Sequence, residues 1–283
     1  MRPYRFMIGA LSCTCLSDGQ NDYQLGQMFA NAPEEEVREL LRSRNEPEDV
    51  ITTPYTNLHV QSSSSILVDT GAGNFAPTTG KLLRSMTEAG IDPDSVDTVI
   101  LTHAHPDHVG GPLHGDGSPA FPNAEYIIAR VEWGFWFSDA ERERANPALQ
   151  SFFDLARRQL EPVRERTRLL GLEGGVADVL PGTRTWFAPG HTPGHMIVEF
   201  SSQGETLLYV ADVVLVPMHL ERPDWLPIFD FDPQAAARSK RRVFDRAADE
   251  GSWVMGQHFA PHPSLGHVVH RGEAWEWPPV VAS

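Results

Sequence analysis

The feature that most constrains this chain is a cluster of histidines and an aspartate directly after a short apolar segment. Residues 98–101 have the β-branched, apolar character of a buried strand, and residues 102–111 follow with the sequence THAHPDHVGG. A buried strand holds the side chains at its end rigidly, and imidazole and carboxylate groups are common metal ligands. A histidine-rich surface loop seldom combines this spacing with a preceding buried strand, so the run predicts a metal site.

The order of residues within this run predicts two ions rather than one. His103 and His105 alternate and can converge on a first ion, whereas the neighbours Asp107 and His108 turn toward a second. Gly110 and Gly111 let the backbone turn sharply behind these side chains.

The run resembles the H-x-H-x-D-H motif of the metallo-β-lactamase superfamily. The resemblance extends over nearly the whole chain, through residues 16–19, 68–71, 189–195, 211–212 and 257–258. It implies an αββα four-layer sandwich of two mixed sheets flanked by helices. Strands and helices alternate along the chain without a composition break, which independently favours one α/β domain over residues 1–283.

Seven ligands follow from this resemblance: His103, His105 and His191 at the first metal, Asp107, His108 and His258 at the second, and Asp212 bridging the two. Asp212 ends an apolar segment, where an unpaired carboxylate would be costly, although a strand-end cap is the alternative. His191 has a loop histidine as its alternative, and His258 shares its tail with His262, His267 and His270. We expect two divalent ions, zinc first, with iron, manganese or cobalt as alternatives.

The sequence also predicts one strand and two helical segments outside the metal motif. Residues 5–16 read as one strand that ends at a turn over 17–19. Residues 34–44 carry apolar side chains at helical spacing. Residues 138–175 read as a helical insertion, because they are rich in Arg, Glu, Leu and Phe.

Two ions about 3.5–4 Å apart can share a water molecule, lower its pKa and clamp both oxygens of an ester-like bond. The resemblance therefore implies a hydrolase that uses a hydroxide between the metals, with Asp107 and Asp212 as its catalytic residues. Residues 72–80 and 121–124 look most like the lactonase and methyl parathion hydrolase branch. Matching this branch places an aromatic wall around the pocket, although ordinary core packing is the alternative. Its members would be Phe75, Trp136 and Phe152.

Leu215 is the one departure from that branch. Acyl-homoserine-lactone lactonases typically carry a tyrosine three residues after the bridging aspartate, and this chain has Leu215 there. Either another donor replaces that hydroxyl, or the substrate is an aryl ester, a phosphotriester or a lactone polarised by metal alone. We therefore predict hydrolysis of lactones or related esters, with Leu215 lining the substrate pocket and phosphotriester hydrolysis as an open side activity.

Other members of the superfamily fit this sequence less well. True β-lactamases replace one ligand by cysteine or lack the bridging aspartate. A glyoxalase II-like thioesterase is the alternative enzyme, although the basic run 238–242 reads as a solvated helix face rather than a glutathione site. A non-catalytic binding protein would have lost ligands, and an iron-dependent persulfide dioxygenase would need only one metal.

Composition limits the partners. The 38 acidic and 23 basic residues give a net charge of -15, which discourages binding to nucleic acid or anionic membranes and favours a small-molecule substrate. Cys13 and Cys15 are the two cysteines, and their spacing does not suit a disulfide, so we expect a reducing cytoplasm. The sequence leaves a homodimer open.

Overall fold

Two β-sheets pack face to face in the computed structural model, which describes residues 1–172 and 174–281. The first sheet has seven strands in chain order, antiparallel from β1 to β4 and parallel from β4 to β7. Its strands are β1 (Tyr4–Ile8), β2 (Leu11–Gln24), β3 (Val50–Gln61), β4 (Ser65–Val68), β5 (Thr98–Ile100), β6 (Glu125–Ala129) and β7 (Thr167–Leu170).

The second sheet has six strands in the order β13, β12, β11, β10, β9, β8, and β11 and β12 form its parallel pair. Its strands are β8 (Val176–Leu180), β9 (Thr183–Phe187), β10 (Met196–Ser202), β11 (Glu205–Ala211), β12 (Trp253–Gly256) and β13 (Leu265–His267). A separate hairpin follows, formed by β14 (Val269–Arg271) and β15 (Ala274–Glu276).

Helices cover the outer faces of both sheets. They are α1 (Leu25–Met28), α2 (Glu34–Ser43), α3 (Leu82–Glu88), α4 (Pro106–Val109), α5 (Arg130–Trp136), α6 (Asp139–Arg144), α7 (Pro147–Leu160), α8 (Met218–Glu221) and α9 (Pro233–Glu250). The predicted helix over 34–44 corresponds to α2. Among the residues described, no helix combines the length and the apolar character needed to cross a membrane.

Alternation along the strands separates the apolar side chains into layers. In β11, Leu207 and Tyr209 face the core between the sheets, whereas Leu208 and Val210 pack under α9. In β6, Tyr126 faces α3 and α7 on the other side of the molecule. Each sheet is therefore covered by apolar contacts on both faces, and the predicted αββα arrangement is confirmed.

The prediction of one strand over 5–16 was wrong in its middle and at its C-terminal end. The chain reverses at Gly9, whose φ is +53° and whose missing Cβ would lie 2.3 Å from the carbonyl oxygen of Ser202. The predicted turn at 17–19 is a bulge inside β2, because the buried Asp18 side chain accepts backbone hydrogen bonds from Ala72 and Leu82. The strand therefore runs on to Gln24.

The predicted helical insertion over 138–175 is also corrected. Helices α6 and α7 and a 3-10 turn (Glu161–Arg166) fill its first part, but β7 then pairs in parallel with β6 and β8 begins at Val176. Residue 173 of this prediction lies outside the described residues. The Arg- and Leu-rich composition of 167–170 hid a strand whose position is set by its partner β6, far away in sequence.

Candidate metal centre

The first group of ligands joins the loop after β5 to the loop between β9 and β10. His105 Nδ1 lies 3.1 Å from His103 Nε2 and 2.9 Å from His191 Nε2. All three rings are buried. Three imidazole nitrogens therefore converge on one point, as the sequence predicted for the first metal.

The second group joins α4 to the segment after β12. His258 Nε2 lies 3.1 Å from Asp107 Oδ2, and His108 Nε2 lies 3.9 Å from the same oxygen. His258 is separated from this helix by about half the chain in sequence, yet β12 and β5 end on the same side of the molecule. The other histidines of the tail lie elsewhere: His262 contacts the Arg2 carbonyl and His270 pairs with Asp249.

Asp212 stands between the two groups at the end of β11. Its Oδ2 lies 3.2 Å from His191 Nε2 and 3.8 Å from His103 Nε2. Its Oδ1 lies 3.3 Å from His108 Nε2 and 3.5 Å from His258 Nε2. One carboxylate thus presents a separate oxygen to each group, which is the geometry of a bridging ligand.

The chemistry of the two groups fits two divalent metal ions. In each group the four candidate ligand atoms lie within 4.8 Å of one another. Ligand atoms around a tetrahedral zinc are roughly 3.3 Å apart, so small side-chain movements would bring these atoms to coordinating distances. Across the described ranges, the buried His108 Nε2 and Asp212 Oδ1 atoms have no hydrogen-bond partner. Buried polar atoms without partners are costly, and metal coordination would satisfy both of them.

Charge within the site depends on which histidines face carboxylates. Burial and the neighbouring His191 lower the pKa of His105 to about 3, so its ring is neutral and ready to coordinate. Burial alone would lower the pKa of His258, but the charges of Asp212 and Asp107 raise it to about 9. The charge of the His258 imidazolium offsets that of the neighbouring aspartates in the free protein, and a metal ion would displace its proton.

A cavity of about 240 Å³ opens onto this centre. Phe75, Phe152 and Leu215, three of the predicted pocket residues, line its wall. Trp136 does not, and that prediction is corrected. Its indole is buried, packs behind His105 and donates a hydrogen bond of 2.6 Å to Glu132.

Comparison with known proteins decides the family. Residues 58–264 match the model of the metallo-beta-lactamase superfamily. The chain belongs to this superfamily. Among curated relatives, the N-acyl homoserine lactonase AiiA of Bacillus thuringiensis subsp. kurstaki is 28% identical over 202 residues, covering 63% of this chain and 70% of the relative. The N-acyl homoserine lactonase AttM of Rhizobium radiobacter is 29% identical over 178 residues, with 60% of each chain covered.

Two solved structures resemble this metallo-β-lactamase-fold chain along its whole length. AidC, a dizinc quorum-quenching lactonase solved in complex with a product, has a TM-score of 0.92 at 27% identity and covers 100% of this chain and 98% of its own. The hydrolase AbOPH has the same TM-score, identity and coverage.

Residues outside the metallo-β-lactamase motif hold the ligands in place. Asp69 Oδ2 accepts a hydrogen bond of 2.8 Å from His108 Nδ1, and its carboxylate also binds the Thr102 hydroxyl and amide. Asp230 Oδ1 lies 3.0 Å from His191 Nδ1. Such partners fix the ring orientation of a ligating histidine. Asp69 belongs to segment 68–71, which resembles the superfamily, whereas Asp230 lies in a loop whose sequence shows no pattern that predicts its role.

Proposed function

We propose that this chain is a dinuclear metal-dependent hydrolase that opens lactone rings, with zinc in both sites. The observation that carries the proposal is Asp212, whose two oxygens face separate groups of buried ligands within one small cavity. The similarity to AidC supports both the metal and the substrate class. When bound, the ions would supply Lewis acidity and a water molecule of lowered pKa.

We assign each predicted ligand to one of the two ions from the distances between the side chains. We assign the first ion to the imidazoles of His103, His105 and His191 and the second to Asp107, His108 and His258, with Asp212 shared. Asp69 and Asp230 would orient the rings of His108 and His191 and so preserve the spacing between the sites.

Asp107 is the residue we assign to proton transfer. Its carboxylate borders the cavity and is the more exposed of the two site aspartates, at 13% against 4% for Asp212. It would accept a proton from the attacking water as the oxygen–carbon bond forms. It would return that proton to the ring oxygen as the ester bond breaks, which yields a hydroxy acid.

The shape of the cavity favours a small substrate with an apolar part. Phe75 and Phe152 meet edge to face with ring centroids 6.2 Å apart, and Phe152 also lies 5.8 Å from the His105 ring. A lactone ring would lie at the metals with an apolar substituent against these rings. Aryl esters and phosphotriesters present a similar electrophile, and we include them as side activities to be tested.

The glyoxalase II-like alternative gains no support from the basic run 238–242. Lys240 is buried and donates to the Pro223 carbonyl at 3.0 Å, whereas Arg241 and Arg242 bind the carbonyls of Glu273 and Phe187. These basic side chains support the chain's own loops. Slow hydrolysis of thioesters would therefore distinguish a lactonase from a glyoxalase II-like enzyme.

A panel of substrates on zinc-loaded protein tests the proposal. We expect about two ions per chain by elemental analysis and hydrolysis of γ- and δ-lactones in preference to thioesters. Asp212→Asn should remove one bridging oxygen and lower kcat/KM on lactones by about 100-fold or more, since losing one group that stabilises the transition state typically costs about 100- to 1,000-fold. Asp178→Asn changes an exposed carboxylate of β8 and should match wild type. Full activity in Asp212→Asn would overturn the assignment.

A further inference from the structure

One residue with a hydroxyl group lines the metal cavity from the first sheet. β2 continues beyond its bulge to Gln24, and this extension places Tyr23 in the cavity wall together with Asp107 and Asp212. Among the described residues that line this cavity, Tyr23 alone carries a hydroxyl. Nothing in the metal centre uses this group, so its role has to be sought in the substrate.

The Tyr23 hydroxyl is oriented by its surroundings. Its oxygen is hydrogen-bonded to the hydroxyl of Tyr55, a fully buried residue of β3. The Tyr55 ring packs edge-on against the ligand His258, with centroids 4.8 Å apart. Phe229 holds the Tyr23 ring from another side at 5.8 Å. When Tyr55 donates to Tyr23, the proton of Tyr23 is free to point into the cavity.

We propose that Tyr23 is a catalytic residue that donates a hydrogen bond to the carbonyl oxygen of the lactone, and that Tyr55 is the positioning residue behind it. This inference rests on the proposed lactone hydrolysis. Negative charge builds up on the carbonyl oxygen as water adds to the carbonyl carbon. A phenol held in place beforehand stabilises that charge more than it stabilises the neutral substrate.

The wall residue Leu215 supplies no donor of its own. Leu215 lines the same cavity, but its side chain is apolar and packs in a cluster with Met28 and Trp225. That position therefore offers no hydrogen bond to a carbonyl oxygen. Tyr23 reaches the cavity from a different sheet element and supplies the donor.

Steady-state kinetics of Tyr23→Phe on the zinc-loaded protein test the role. We expect kcat on γ-lactones to fall about 10-fold or more while KM stays within about twofold, because the lost bond matters chiefly in the transition state. Two ions per chain should be retained, and the thermal unfolding midpoint should fall no further than in Tyr55→Phe, which breaks the same hydrogen bond. Tyr126→Phe is the matched control, since this buried tyrosine of β6 has a hydroxyl without a partner in the described part of the chain. It should behave as wild type.

Tyr55→Phe provides a second variant that leaves the donor itself in place. We expect a smaller fall in kcat, because Tyr23 loses its orientation but keeps its hydroxyl. The double variant Tyr23→Phe/Tyr55→Phe should be no slower than Tyr23→Phe alone, since Tyr55 acts through Tyr23. Additive losses would overturn the positioning role of Tyr55.

The outcomes separate this inference from the proposed function. A Tyr23→Phe variant with wild-type kcat on lactones would overturn the inference and leave lactone hydrolysis standing. A loss seen only in KM, or accompanied by loss of metal, would equally overturn the catalytic role. A wild-type protein that holds two ions but opens no lactone would overturn the proposed function, and this inference with it.

Discussion

The carboxylate of Glu132 accepts a hydrogen bond of 2.8 Å from the backbone amide of Gly194. It also accepts from the amide of Ala104 at 3.0 Å and from the hydroxyl of Thr192 at 2.8 Å. Ala104 lies between two ligands of the first group, whereas Thr192 and Gly194 follow its third ligand. A fully buried carboxylate on α5 therefore joins the two loops that bring this group together.

Replacing Glu132 by Gln should destabilise the folded protein. The amide nitrogen of Gln would face a donor, so at least one buried N–H or O–H loses its acceptor. We expect the free energy of unfolding to fall by about 2–3 kcal/mol, measured by urea denaturation of zinc-loaded protein. Glu125→Gln, an exposed change on the neighbouring β6, is the control. Equal stability of the two variants would contradict the linking role of Glu132.

The contact between Asp230 and His191 makes a prediction about metal affinity. Asp230→Asn keeps the size of the side chain but removes the charge that orients the His191 ring. We expect metal affinity at the first site to fall about 10- to 100-fold, measured by competition with a chromogenic chelator. Asp224→Asn alters an exposed carboxylate of the same loop and should leave affinity unchanged. Parallel titration curves for the two variants would refute the role of Asp230.

The set of seven predicted ligands came from the family resemblance, and most of its members are encoded locally. His103, His105, Asp107 and His108 share one short run after a buried strand, and Asp212 and His258 follow strands of the second sheet. The structure brings all seven predicted ligands together. A side chain at the end of a strand takes its position from that strand, which is why the residues named by the resemblance lie together in the structure.

Residues that act through long-range contacts left no such pattern. Tyr23 reaches the cavity because β2 continues past Asp18, and that continuation depends on backbone groups of residues 72 and 82. Asp230 meets His191 across 39 positions of sequence. β7 was hidden for the same reason, since its pairing with β6 rather than its own composition makes it a strand. Trp136 was misplaced because an aromatic side chain near a ligand can pack behind it or line the pocket.

His59 makes the stability of the fold depend on pH. Its ring is buried on β3 with Nε2 2.9 Å from Ser65 Oγ, and burial lowers its pKa to about 4. The unfolded chain has the ordinary pKa near 6.5, so it binds a proton before the folded protein does, and stability is lost as the pH falls from about 6.5 to about 4. Between pH 7.5 and pH 5 this loss amounts to about 2 kcal/mol.

His59→Gln removes the titratable imidazole and retains a polar partner for Ser65. Wild type should lose about 2 kcal/mol more than the variant between pH 7.5 and pH 5, as measured by urea unfolding at both values. The ligand histidines are common to both proteins, so their titration cancels in the difference. Equal losses in the two proteins would show that burial of His59 carries no pH dependence.

The aromatic wall predicts a specificity that depends on the substituent of the lactone. Phe152 projects from α7 between the Phe75 ring and the ligand His105. Phe152→Ala removes an apolar surface that an unsubstituted lactone ring need not contact. We expect KM for a lactone with a long apolar chain to rise about 10-fold, corresponding to about 1.4 kcal/mol of lost contact, while kcat/KM for γ-butyrolactone stays within about twofold. Val131→Ala, an exposed change on α5, serves as the control. Equal losses of kcat/KM on both lactones would contradict this role and would indicate that Phe152 acts on the metal centre through His105. The zinc content of the variant would then show whether metal is lost or retained.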